Sequence, residues 1–150
     1  MLLLAAACGS TPLYGPPEPA QPAHRSASAN LQQFRRAETG PLARAFQADA
    51  ATFNQASHNR QIAPSVLGED AYRVSSDIQA WLLAMKQAPV PADYRQAKAQ
   101  LLHGLKLLQR GYRHIGDGLL YNDAAQLSQG RADVRSGSAI LGAAAADVSL

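Results

Sequence analysis

The chain has a single cysteine, Cys8, among 150 residues, and this scarcity excludes several classes of protein. One cysteine cannot form an intramolecular disulfide, so the fold must depend on its core alone. Covalent haem attachment through Cys-x-x-Cys-His is excluded for the same reason, whereas non-covalent haem stays open. No glutamate follows Glu69, which excludes the ferritin-like di-iron site, since that site draws glutamates from four helices.

The sequence also lacks the usual motifs of nucleophilic and phosphate chemistry. It has no Gly-x-Ser-x-Gly elbow, and Gly116 and Gly118 follow a helical pattern instead of joining a strand to a helix. Asp70 and Asp77 lie two helical turns apart and resemble an acid and base pair, but Arg73 beside them favours a solvated, charged flank. We therefore predict that the protein is not an enzyme.

Charged residues make up only 17% of the chain, against 47% hydrophobic and 6% aromatic residues. This composition and length predict one compact domain. The formal net charge of +3 and a pI near 9.3 suit an anionic membrane or cell-wall polymer as partner. The excess is too small to indicate nucleic acid, and we expect no nucleic-acid partner.

The N-terminus carries a short apolar run, residues 2–7, that is closed by alanines and followed by Cys8, Gly9 and Ser10. It is too short to span a bilayer, which needs about 20 apolar residues. The segment Leu4, Ala5, Ala6, Ala7, Cys8 resembles the lipobox of bacterial lipoproteins, although that family prefers leucine where this chain has Ala5. The alternative is an ordinary buried segment.

The resemblance implies that residues 1–7 are a signal peptide and that Cys8 becomes a lipid-carrying N-terminus. No Lys or Arg precedes the apolar run, so we expect the true translation start to lie upstream. The family chemistry adds diacylglycerol and a further acyl chain such as palmitate to the cysteine, and two signals of this kind anchor a protein stably. The expected location is the outward side of the cell membrane or the outer membrane.

Five prolines follow the cysteine before the first helical pattern begins. Because proline fixes the backbone and removes amide donors, residues 8–30 are predicted to be an extended tether. The prolines are Pro12, Pro16, Pro17, Pro19 and Pro22.

Beyond the tether, apolar residues recur at helical spacing and never alternate as in a strand. The pattern predicts an all-α domain over residues 31–150, a four-helix up-down-up-down bundle. The first helix covers residues 31–57 with a break at Gly40 and Pro41, and the second begins at Ser65 as its N-cap. The third runs from Pro91, and the fourth follows a turn near residues 121–123.

Small residues recur every seven positions on the last two helices. With a turn near residue 123, we predict that Gly118 lies level with Gly130, Gly111 with Gly137, and Gly104 with Ala144. Each helical glycine costs roughly 1 kcal/mol against alanine, so close helix packing is the favoured reason for the seam. The alternative is a plastic hairpin that opens around a partner. The positions are Ala97, Gly104, Gly111, Gly118, Gly130, Gly137 and Ala144.

Basic residues of the third helix fall within about one third of its circumference, almost unopposed by acids. This stripe is a candidate surface for anionic lipid, anionic polymer or an acidic partner, and the alternative is a solvated helix face. Its members are Arg95, Lys98, Lys106, Arg110 and Arg113. His103, His114 and Asp117 share a flank of this helix, but about 16 Å separates the histidines along the axis. We therefore predict no metal site and no cofactor.

Two functions follow from these patterns. The first is a lipid-anchored, non-enzymatic bundle that binds an envelope protein or anionic polymer through the basic stripe. The second is a carrier of a small ligand or metal, with a pocket between the first two helices. The aromatic residues near that pocket would be Phe46, Phe53, Tyr72 and Trp81.

Overall fold

The computed structural model describes residues 26–149, with side chains described for residues 26–146. The described part is helical and contains no strand, so the all-α prediction is confirmed. Its helices are α1 (Ala27–Glu38), α2 (Pro41–Ser57), α3 (Pro64–Gln87), a single 3₁₀ turn (Ala92–Tyr94), α4 (Arg95–Leu120) and α5 (Ala124–Ser149). The predicted signal peptide, Cys8 and most of the predicted tether lie outside the described residues.

Of three predicted boundaries, two differ from the structure and one is present. Helix α1 begins before the predicted end of the tether, because the Ser26 side chain caps it by accepting from the Ala29 amide at 3.3 Å. The predicted break at Gly40 and Pro41 is present and separates α1 from α2 completely. Ser65 was the wrong N-cap: α3 starts at Pro64, whose missing amide and fixed backbone suit a first helical turn.

Helices α3 and α4 supply most of the hydrophobic core. Helix α4 packs between α3 and α5, α2 packs on the other flank of α3, and the short α1 leans on α3 and α2. Helix α1 contributes one fully buried side chain, Phe34. The remaining fully buried large side chains are Val74, Ile78, Met85 and Leu105.

The small-residue seam between α4 and α5 exists, but the predicted register is wrong by seven residues. A Cβ placed on Gly111 would lie 2.8 Å from the carbonyl oxygen of Gly130, and one on Gly130 would lie 2.6 Å from that of Gly111. Gly104 and Gly137 face each other in the same way. Gly118 instead lies against Leu127 and the backbone of the turn.

The tight turn between α4 and α5 explains this shift. The Asp123 amide donates to the Gly118 carbonyl at 2.9 Å, and Asn122 has a positive φ of 53°, the arrangement of a Schellman cap with asparagine in the glycine position. The Asp123 carboxylate then accepts from the amides of Ala125 and Gln126, starting α5 at once. The point about which residues of α4 and α5 pair symmetrically therefore lies between Leu120 and Tyr121, earlier in the chain than predicted.

Candidate functional site

The five residues of the predicted basic stripe all lie on α4, but the structure gives them different roles. Arg95, Lys106 and Arg113 are exposed to solvent. Lys98 and Arg110 make specific contacts to neighbouring helices. The stripe thus contains three exposed cations, Arg95, Lys106 and Arg113, and two cations that bond to neighbouring helices.

Lys98 caps the end of α3. Its ammonium group donates to the carbonyl oxygen of Lys86 at 3.1 Å and also to that of Ala88. A cation at this position complements the negative end of a helix dipole. Burial lowers the pKa of Lys98. Lys98 therefore joins the start of α4 to the end of α3.

Arg110 forms a two-point ion pair with Asp133 of α5. Its Nε and Nη2 atoms donate to the two carboxylate oxygens at 2.7 and 2.8 Å, and Gln129 donates to Oδ1 at 3.0 Å. The Asp133 side chain is only 6% exposed, against 55% for Arg110. These hydrogen bonds, led by that of Arg110, lower the pKa of Asp133. The prediction that acids barely oppose the stripe is therefore wrong at Arg110.

The sequence patterns above do not predict Asp133 as the partner of Arg110, although its position in α5 gives a signal for it. It lies three residues after Gly130 and four before Gly137, so helical spacing places it on the same side of α5 as the seam. A lone carboxylate on a face that packs against a basic helix indicates a buried ion pair. The contribution of this pair to stability is modest, because burying the Asp133 carboxylate costs much of the free energy that its pairing with the half-exposed Arg110 returns.

The three polar residues considered as metal ligands are not gathered around one point. His103 is exposed, and the nearest approach of His114 to a carboxylate is 3.6 Å, between its Nδ1 atom and Asp133 Oδ2. Asp117 accepts the Tyr72 hydroxyl at 2.5 Å, and this bond raises the pKa of Tyr72. Within residues 26–149 no group of three His, Cys, Asp or Glu side chains could hold a metal ion.

Two polar cavities adjoin on the surface of α4, and Gln109 and Arg113 line both. The cavity toward α3, about 350 Å³, is also lined by Tyr72, Ser75, Ser76 and Gln79. The cavity toward α5, about 310 Å³, is also lined by Arg110, His114 and Asp117. We refer to these two cavities together as the α4 cleft.

The α4 cleft is held in shape by hydrogen bonds between α3 and α4. Ser75 donates to the main-chain carbonyl of Gln109 at 3.1 Å, and the Gln109 amide group donates to Gln79 Oε1. The Tyr72–Asp117 bond joins the same two helices nearer the turn. The Ser75–Gln109 and Tyr72–Asp117 bonds are partly buried, and such bonds fix rotamers before a ligand arrives.

The aromatic residues of the carrier hypothesis are used for packing. Phe46 stacks on Trp81 with ring centroids 5.6 Å apart, and Phe53 meets the edge of Tyr112 at 5.7 Å. The Trp81 indole donates to the Ala37 carbonyl at 3.0 Å, while Tyr72 turns toward Asp117. The structure therefore does not gather these four rings around a common cavity.

Asp70 and Asp77 also separate. Asp70 pairs with Arg73, its predicted charged neighbour, at 3.2 Å; the Arg73 side chain is exposed and that of Asp70 is partly buried. Asp77 instead faces Asp49 of α2; burial and a hydrogen bond with that carboxyl group raise the pKa of Asp77. Assigning Asp77 to the solvated flank was wrong, because α2 covers that part of α3.

Comparison with known proteins finds no matching family model and no similar chain among curated proteins or solved structures. None of the helices in the described part of the chain is both long and apolar enough to cross a membrane. The candidate site therefore rests on its own geometry.

Proposed function

We propose that the protein is a lipid-anchored, extracytoplasmic lipoprotein whose helical domain binds an anionic component of the cell envelope without catalysing a reaction. Lipid on Cys8 holds it at the cell membrane or outer membrane, and the proline-rich tether separates the domain from the bilayer. The domain is an up-down-up-down bundle preceded by the short α1. Each of these helices contacts the next one in the chain, α2 with α3, α3 with α4, and α4 with α5, and these contacts support this topology.

The observation that carries the proposal is the alignment of Arg95, Lys106 and Arg113. They are 11 and 7 residues apart and all are exposed, so they lie on one side of α4 over three and two helical turns. At a rise of about 1.5 Å per residue, the line is about 27 Å long. A row of this length fits an extended anionic partner better than a single small ion.

The two cations that bond to neighbouring helices support this function indirectly. Lys98 fixes α4 against α3, and Arg110 fixes it against α5, so the exposed row sits on a helix held on both flanks. A rigid display keeps cations at fixed spacing and lowers the entropic cost of binding. Charge on one face also steers an oppositely charged partner during encounter.

Reversing charge at Arg95 and Lys106 together, Arg95→Glu and Lys106→Glu, is expected to weaken binding to immobilised polyglutamate and polygalacturonate by about tenfold or more at low salt. Both side chains are exposed, so the fold should be unchanged. Binding isotherms at several salt concentrations measure the effect. Arg110 is unsuitable for this test, because its substitution would also break the Asp133 pair.

The matched control is Arg131→Glu with Arg135→Glu on α5. These residues are exposed and carry the same change of charge, but they lie on a different helix from the row. The proposal requires that this control bind within about twofold of the unmodified chain. Equal losses in both double variants would mean that net charge alone, and not the α4 face, determines binding.

The anchor is tested separately by the intact mass of the protein recovered from membranes. The mature chain should begin at Cys8 and carry diacylglycerol, because the apolar run and small residues match a lipoprotein signal. Cys8→Ser should leave the protein unprocessed and abolish lipidation. An unmodified Met1 start in the soluble fraction would refute the anchor and the expected location.

A further inference from the structure

The two cavities of the α4 cleft differ in charge. The cavity toward α3 is lined by one cation, Arg113, together with hydroxyl and amide groups and no carboxylate. The cavity toward α5 contains Asp117 beside Arg110, Arg113 and His114. Arg113 borders both cavities. A ligand that spans the cleft would therefore place an anionic group in the cavity toward α3 and a hydrogen-bond donor against Asp117 in the cavity toward α5.

The neutral groups of the first cavity are arranged as paired donors and acceptors. Gln109 donates through its amide nitrogen to Gln79 Oε1, which leaves Gln109 Oε1 as an acceptor and the Gln79 amide nitrogen as a donor. Ser76 adds a hydroxyl on the same wall. An amide pair joined in this way offers one donor and one acceptor group to a ligand.

The second cavity favours a ligand that donates hydrogen bonds. Tyr72 uses Asp117 Oδ1, so Oδ2 of the same carboxylate is left to accept from a ligand hydroxyl. His114 Nδ1 lies buried without a hydrogen-bond partner, and Asp133 beside it is committed to Arg110 and Gln129. A ligand carboxylate placed against Asp117 would be repelled, whereas a ligand hydroxyl there would be bound.

We infer that the α4 cleft binds a sugar unit that carries one anionic substituent, with the anion on Arg113 and its hydroxyls on Gln79, Gln109 and Asp117. This deepens the proposed function, on which it rests: the anionic partner along the basic row is an acidic polysaccharide. The two cavities, about 310 and 350 Å³, each lie within the size range of small-molecule sites. Arg113, the last cation of the exposed row, places the cleft at one end of the polymer path.

The test compares three soluble probes on the full chain by calorimetric titration at low salt. The probes are trigalacturonate, which is an acidic sugar, neutral galactotriose, and triglutamate, which has similar charge without sugar hydroxyls. Trigalacturonate should bind at least about tenfold more tightly than either of the others, because only it satisfies both kinds of contact.

The discriminating variant is Gln79→Leu, which removes hydrogen-bonding groups without changing charge. Since Gln79 is exposed and the variant keeps a good helix former, folding should be retained, and a melting curve verifies this. The dissociation constant for trigalacturonate should rise about tenfold, while that for triglutamate should change by less than about twofold. Gln47→Leu, at an exposed position of α2, is the matched control and should leave both unchanged.

The outcomes separate this inference from the function on which it rests. If triglutamate binds as tightly as trigalacturonate, or if Gln79→Leu changes neither, the cleft does not recognise sugar hydroxyls and the inference is overturned. Charge-dependent binding along Arg95 and Lys106 would then still support the proposed function. If no anionic probe or polymer binds even at low salt, both are overturned.

Discussion

Replacing Gly111 with leucine is expected to lower the free energy of unfolding by about 3 kcal/mol or more. The first added atom would lie 2.8 Å from two backbone atoms, the Gly130 carbonyl oxygen and the Val134 amide nitrogen. Backbone cannot rotate away as a side chain can, so α4 and α5 must separate along their seam. Gly137→Leu should behave alike, since its Cβ would meet the Gly104 carbonyl at 2.8 Å.

Gly142 supplies the control, because a Cβ there meets no atom within 4 Å. Gly142→Leu relieves the poor helix propensity of glycine and should raise the free energy of unfolding by up to about 1 kcal/mol. The same chemical change thus has opposite signs at two positions of one hairpin. Thermal or denaturant melting followed by circular dichroism measures both, and similar stabilities for the three variants would eliminate the close-packed seam and favour a plastic hairpin.

Truncating Phe34 to alanine is expected to undock α1 from the rest of the domain. Phe34 is fully buried, and removing such a ring costs about 3 kcal/mol or more. It is the buried side chain of α1, and a 12-residue helix is marginal in water without packing. Loss of this contact therefore leaves α1 without enough stabilisation to remain folded, while the pairing of α4 with α5 persists.

Trp81 reports this event directly, because its indole donates to the Ala37 carbonyl of α1 and stacks on Phe46. In Phe34→Ala the tryptophan emission should shift to longer wavelength, and proteases should cut between α1 and α2. Leu42→Ala, at a position 39% exposed, should change neither. Unaltered Trp81 emission in Phe34→Ala would mean that α1 docks through other contacts.

Helix positions were predictable because each helix carries its own signal. Apolar spacing located α3, α4 and α5, and Gly40 with Pro41 located the break between α1 and α2. The seam was also predictable, since glycines every seven residues are costly without close packing. Its register was not, because sliding the two helices by seven residues again brings small residues opposite small residues. The cap at Asn122 and Asp123 decided between these registers.

The candidate site was predictable only in part. The face of α4 that carries the cations followed from spacing alone, and Arg95, Lys106 and Arg113 are exposed on it. Arg110 pairs with Asp133, which lies 23 positions later in the chain. Helical periodicity within α4 cannot reveal this partner. The α4 cleft likewise needs Tyr72 and Gln79 from α3 beside Gln109 and Arg113.

The sequence by itself determined the secondary structure, the small-residue faces of α4 and α5 and the cationic face of α4, because each depends on residues within one helix. The tertiary structure decided which faces meet, and with that the register at Gly111 and Gly130, the ion pair of Arg110, the opposition of Asp49 and Asp77, and the polar cleft. These contacts join residues distant in sequence. Local periodicity places a side chain on a face, but only the packed chain brings its partner within reach.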